Sequence, residues 1–163
     1  MLTHGGCWTF PIDSGDYGAF RDLQRHRMCT IDWQALHPGL GADTPDGIDA
    51  AGLLGLYERS FERSAGLHDA LVAAGHGPEA QYAVSFGHKV RFRMTLNARE
   101  AMHVLELRTT PPGHPSYRRI CQQMHHEIAK VHPQIAVAMS HVNHSSVELE
   151  RLESERRTEA RLT

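Results

Sequence analysis

Apolar and polar positions alternate along Lys89-Val90-Arg91-Phe92-Arg93-Met94-Thr95, with Val90, Phe92 and Met94 in one set and Lys89, Arg91 and Arg93 in the other. Successive side chains of a strand point to opposite faces, so this segment predicts a strand with one buried and one basic face. The period then changes. Asn97 stands where a helix cap belongs, and Glu100 sits where a capping box places its acid. On the predicted helix Ala98, Met102 and Leu105 form an apolar stripe, while Arg99 and His103, four residues apart, share another face.

The same reading covers the rest of the chain. Cys7-Trp8-Thr9-Phe10 predicts a short strand closed by Pro11 and the turn residues Asp13-Ser14-Gly15. Tyr17 to about Cys29 predicts a helix carrying Tyr17, Phe20 and Leu23 on one stripe. Arg25-His26-Arg27 would occupy its last turns, where cations suit the helix dipole. Residues 37–47, rich in Pro, Gly and Asp, predict a loop. Leu53, Leu54, Tyr57, Phe61 and Ala65 predict one long helix over Ile48–Ala74, kinked near Gly66 and ended by His76-Gly77-Pro78. After the break at Thr110–Pro115, a helix from Ser116 to about His132 should bury Ile120, Met124, Ile128 and Val131. Pro133 starts a short apolar helix through Met139, and Glu148 to Arg161 reads as a solvated charged helix. These elements describe an α+β domain over 1–145, with helices on a small mixed or antiparallel sheet, and a charged tail over 146–163.

Composition narrows the function classes. A chain of 163 residues with 40% hydrophobic content fits one domain with a core. The formal charge of −2 argues against a general nucleic-acid binder, so the arginines imply a small anionic ligand. No apolar run approaches the roughly 20 residues that span a bilayer, and Met1 to Gly6 lacks the pattern of a signal peptide. Cys7, Cys29 and Cys121 form no Cys-x-x-Cys pair, which fits free thiols in a reduced, cytoplasmic setting.

Three kinds of chemistry compete. Arg25, His26 and Arg27, with Arg99 and His103 about seventy residues later, suggest a site for a phosphorylated, nucleotide-like ligand. Guanidinium groups grip phosphate in bidentate fashion, and imidazole stacks on or hydrogen-bonds a ring. Arg91, Arg93 and Arg99 would add an anion-binding wall beside the amides of a helix N-terminus. Histidines 125, 126, 132, 141 and 144 invite a metal, but no Cys, Asp or Glu completes a zinc or di-metal pattern. Cys29 lies just beyond the basic triplet, where cations could lower a thiol pKa, yet Met28 and Ile31 favour a buried, inert cysteine.

The segment Phe20-Arg21-Asp22-Leu23-Gln24-Arg25-His26-Arg27 resembles the signature of the flavin-dependent thymidylate synthases. Asn97-Ala98-Arg99-Glu100-Ala101-Met102-His103-Val104-Leu105-Glu106-Leu107-Arg108 is similar to the same family's Asn-x-Arg-x-x-x-His-x-Leu-x-Leu-Arg helix. The resemblance runs from about Trp8 to Pro133. It implies the family's α+β fold and a homotetramer with sites at subunit interfaces. It also implies FAD-mediated transfer of a one-carbon unit from methylenetetrahydrofolate to dUMP, with reducing equivalents from NADPH. By motif, Arg25, His26 and Arg27 would contact flavin or its folate partner. Arg99 would be the pyrimidine-activating arginine and His103 the ring-stacking histidine, with Arg91 available to the substrate.

The departures gather on the nucleotide side. Ala35 replaces the motif serine, His37 and Pro38 the following arginine and tyrosine, Asp22 a glutamine, and Gln81 a phosphate-binding arginine. The family's segment before the first strand, which brings further flavin contacts, has no counterpart in this sequence. Two expectations result. One is a divergent flavoenzyme acting on a pyrimidine; the other is a catalytically degenerate homologue serving as a cofactor-binding or oligomerisation module, or as half of a longer tandem protein.

Overall fold

The structure, a computed structural model, describes residues 1–145 and 159–161. Four strands, β1 (Leu2–His4), β2 (Cys7–Asp16), β3 (Thr30–Trp33) and β4 (Lys89–Asn97), form one sheet in the order β1-β2-β4-β3. β1 and β2 pair antiparallel from Leu2↔Thr9 to His4↔Cys7. Their hairpin turns on Gly5 and Gly6, with φ of 56° and 75°, a conformation that side chains with a Cβ rarely adopt.

The chain divides into two compact units: Met1–Ile12, Asp22–Asp32 and Arg93–Thr163 in the first, Asp13–Arg21 and Trp33–Phe92 in the second. In the first unit, α5 (Ala98–Arg108) packs on α6 (Pro115–Val131), and α6 on α7 (Pro133–Ala138). Leu23, Met94, Leu96, Val104, Leu105 and Ile128 are buried there. The second unit holds α1 (Tyr17–Leu23, up to Arg21), α2 (Asp46–Ala50), α3 (Leu54–Ala73) and α4 (Gly77–Ala80). Its aromatic centre sets Phe20 against Phe92 at 5.0 Å and Trp33 at 5.5 Å, geometry that favours edge-to-face ring contact.

β4 follows the sequence pattern, with Val90, Phe92, Met94 and Leu96 buried between exposed Arg91 and Arg93. Four expectations are corrected. β2 does not close at Pro11 but runs on to Asp16. β1 pairs no further than Thr9, so the missing Pro11 amide faces a side of β2 that β1 has already left. The helix from Tyr17 stops at Leu23, and Arg25-His26-Arg27 lies in the turn and irregular stretch beyond it. There His26 is buried and both arginines are exposed. The third correction splits the long helix. Gly52, at φ 67°, stops α2, and α3 then runs through Gly66 without interruption.

The fourth concerns which faces are inside. α5 buries Glu100, Ala101, Val104 and Leu105 rather than Ala98 and Met102. α6 buries Arg118, Cys121, Met124 and Ile128, with Val131 exposed. Apolarity alone misplaces both faces, because each buries an ionisable residue, Glu100 on α5 and Arg118 on α6. The charged tail expected from residue 146 lies outside the described residues, apart from 159–161, which are helical.

Candidate functional site

The site is built on α5 and on the turn after α1, both in the first unit. Asn97 Oδ1 accepts from the Glu100 amide at 2.9 Å, which fixes the start of α5. Arg99 and His103 then stand one turn apart, both exposed. At the other end of the helix, Arg108 donates from Nε to His26 Nε2 at 2.9 Å and from a terminal nitrogen to the Asp22 carbonyl at 2.8 Å. Its guanidinium lies 5.3 Å from the centroid of the Tyr117 ring, within cation–π range.

His26 is the buried centre of this arrangement, at 9% exposure. Because Nε2 accepts from Arg108, a neutral ring carries its proton on Nδ1, which faces the buried Glu100 carboxylate at 3.6 Å. That separation is too long for a hydrogen bond. Burial, then the Arg108 charge and then His103 lower the His26 pKa to about 4, so the ring is neutral at pH 7 and the contact with Glu100 is no ion pair there. The His103 ring meets His26 edge-on at 5.7 Å.

The flanking arginines point out. Arg25 is 75% exposed and 3.7 Å from the Asp22 carboxylate, while Arg27 and Arg99 have no carboxylate partner among the described residues. Two unpaired guanidinium groups and an exposed imidazole make a donor set suited to a phosphorylated ligand with a planar ring. That set fits the diphosphate of FAD: the donors needed are present, and no carboxylate among the described residues neutralises Arg27 or Arg99.

Arg91 and Arg93 do not present free cations. Arg93 Nε donates to Asp32 Oδ2 at 2.8 Å, and Arg91, in the second unit, lies 3.9 Å from Asp13. The expected histidine clusters bring His125 and His144 together at 4.9 Å, but no group of three metal-ligating side chains occurs among the described residues. Cys29 donates to the His26 carbonyl at 3.0 Å, and burial raises its pKa, opposite to what a nucleophile needs. A cleft of about 290 Å³ in the first unit, lined by Thr3, Gly6, Cys7, Trp8, His132 and others, contains none of Arg25, His26, Arg27, Arg99 and His103.

The positions that depart from the thymidylate synthase pattern have local structural work. Gln81 Oε1 accepts from the Leu36 amide at 2.9 Å, and His37 Nδ1 accepts from the Gly39 amide at 3.2 Å to cap the turn Pro38–Leu40. Pro38 opens that turn, where its missing amide costs nothing. From the sequence, Glu100 has only a capping-box place and Arg108 only a place in the helix motif; neither is expected beside His26. The available signal was a carboxylate standing among Ala101, Val104 and Leu105 on the inward face of α5.

Fold and site together define an α+β protein with an Arg/His face on a capped helix. The chain belongs to the thymidylate synthase complementing protein family, whose pattern matches residues 6–134, and is a divergent member of that family. It is 34% identical over 155 residues to a UPF0159 protein of Chlamydia muridarum, covering 94% of this chain and 29% of that protein. It is 36% identical over 146 residues to UPF0159 protein Ta1429 of Thermoplasma acidophilum, covering 86% and 28% respectively. The chain thus spans less than a third of the length of these relatives.

Among solved structures, the UMP/dUMP methylase PolB of Streptomyces cacaoi, bound with 5-Br dUMP, superposes with a TM-score of 0.73 at 20% identity, covering 82% of this chain and 71% of that one. ThyX of Helicobacter pylori, with FAD and dUMP, gives 0.63 at 15% identity, covering 82% and 72%. At these identities the likeness establishes the fold, which is that of the flavin-dependent thymidylate synthases.

Proposed function

We propose that this chain binds FAD and a nucleotide-like ligand through Arg25, Arg27, Arg99 and His103, with His26 in support. It would act in one-carbon or hydride transfer to a pyrimidine. The observation that carries this reading is the pair of unpaired guanidinium groups, Arg27 and Arg99, in a chain whose family match covers both motifs. FAD, when bound, supplies the hydride chemistry. This chain's residues would bind the diphosphate, orient the ring against His103, and set the Arg99 charge where a pyrimidine develops negative charge. NADPH and methylenetetrahydrofolate enter only if the family's full reaction is retained, and the family's homotetramer is proposed for this chain as well.

Purified protein should absorb near ~450 nm as bound flavin does, and Arg27→Ala should weaken flavin uptake. Protein that remains colourless and takes up no added FAD would sink the reading. Release of tritium from C5-labelled dUMP, with folate and NADPH present, separates thymidylate synthesis from flavin binding alone.

A second reading, a degenerate homologue serving as a binding or oligomerisation module, draws support from Gln81 and His37. Both are committed to backbone amides within their own unit. That reading expects flavin uptake or assembly without turnover of dUMP.

A further inference from the structure

The triplet's central residue differs from its neighbours in every physical respect. Arg25 and Arg27 are exposed; His26 is buried. A buried imidazole between two outward guanidiniums has little surface to offer a ligand, but it has a defined partner. Arg108 Nε donates to His26 Nε2 at 2.9 Å, and the same guanidinium holds the Asp22 carbonyl at 2.8 Å. The turn is also tied by its backbone: the His26 amide donates to the Leu23 carbonyl at 3.2 Å, and the His26 carbonyl accepts from Cys29 Sγ at 3.0 Å. Arg108 belongs to α5, the helix that carries Arg99 and His103. The Arg108–His26 hydrogen bond is therefore a side-chain link between the turn that carries the triplet arginines and the helix that carries Arg99 and His103.

We infer that His26 is a positioning residue. Its ring acts as a hydrogen-bond acceptor for Arg108 and so fixes the spacing between Arg25/Arg27 and Arg99/His103, without itself touching the ligand. This rests on the anion-binding reading proposed above and sharpens it. The role requires an acceptor at Nε2, and therefore the tautomer protonated at Nδ1. Glu100 favours that tautomer from the Nδ1 side at 3.6 Å, and it is held there by the capped start of α5. Other groups around the ring are His103, edge-on at 5.7 Å, and Cys29, whose thiol bonds the His26 carbonyl. A lysine or arginine at position 26 would present a second donor to Arg108 and break the link. A glutamine could keep it, because its amide oxygen accepts.

The test uses the full chain and two probes, FAD and inorganic pyrophosphate, titrated into wild type, His26→Ala and His26→Gln. His26→Ala should weaken binding about tenfold, the scale of losing one charge-assisted hydrogen bond. His26→Gln should return it to within about threefold of wild type. A melting temperature lowered in both variants with unchanged affinities would make His26 merely structural and overturn the inference. So would equal weakening in both variants.

Long-range ¹⁵N–¹H spectra of the wild type supply an independent readout. A neutral His26 ring with its proton on Nδ1 at pH 7 is expected; a proton on Nε2 overturns the inference. If wild type binds pyrophosphate with the expected variant dependence but takes up no FAD, the flavin reading fails and the positioning role stands. If it binds neither probe, both fall.

Discussion

His26 shows how one buried side chain links geometry to pH. Its unfolded-state pKa is near the ordinary 6.5, and in the fold burial and the Arg108 charge bring it to about 4. Between those values the unfolded chain binds more protons, so stability rises with pH across the window. The contribution is complete above pH 6.5 and is lost as pH falls toward 4, to an extent of at most about 3 kcal/mol. Urea unfolding at pH 7 and pH 4.5 should show a steeper loss in wild type than in His26→Gln; parallel losses would contradict the assignment. His88 and His144, also lowered mainly by burial, add with the same sign in both proteins and cancel from the comparison.

Cys121 makes a second prediction at this scale. It is fully buried, and desolvation pushes its thiol up to about 12, with Arg108 opposing weakly. The thiolate is the reactive form, so a thiol reagent at pH 8 should leave Cys121 unmodified until the protein unfolds. Cys29, also raised by burial and by Glu100, should react slowly.

At the scale of elements, the sequence was most legible where local chemistry and burial agree. β4 and α5 were both foreseen because Val90, Phe92 and Met94 alternate and Asn97 caps the adjoining helix. The cap should be measurable: Asn97→Ala removes the acceptor of the Glu100 amide and should cost about 1 kcal/mol in chemical denaturation. Legibility failed where a long-range partner decides. Nothing local to Arg25-His26-Arg27 announces that the helix stops at Leu23 or that His26 meets Arg108, 82 residues on.

Arg118 is the same case on α6. It is fully buried, and its guanidinium donates to the Thr109 and Pro111 carbonyls, Asn143 Oδ1 and Ser145 Oγ. An apolar stripe cannot announce such a residue. Arg118→Ala would strand those acceptors and should destabilise the protein by about 3 kcal/mol, read as a lowered denaturation midpoint. A loss under about 1 kcal/mol would mean that water replaces the guanidinium at little cost. β3 was missed for a weaker reason: of Thr30–Trp33 only Ile31 is even half-buried, so four residues carry no alternation to read.

For the whole molecule, family membership was legible because the two motifs lie within the matched range 6–134 in order and spacing. Assembly is expected only through that resemblance, and α3 offers the means to test it. This twenty-residue helix buries none of its residues, and Leu56 and Leu67 are 57% and 55% exposed. Eleven residues apart, they share one side of the helix and leave apolar surface there that a lone chain has no reason to display. In the proposed homotetramer such a face would be covered by another copy, and burying leucines is worth roughly 2 kcal/mol each. Light scattering of wild type should therefore give a multiple of the monomer mass. Leu56→Glu with Leu67→Glu should move that mass toward the monomer without loss of helicity, since exposed substitutions cost little within a single chain. A monomeric wild type would end the tetramer proposal. A double variant that keeps the wild-type mass would move the interface to another surface and leave α3 without a role in assembly.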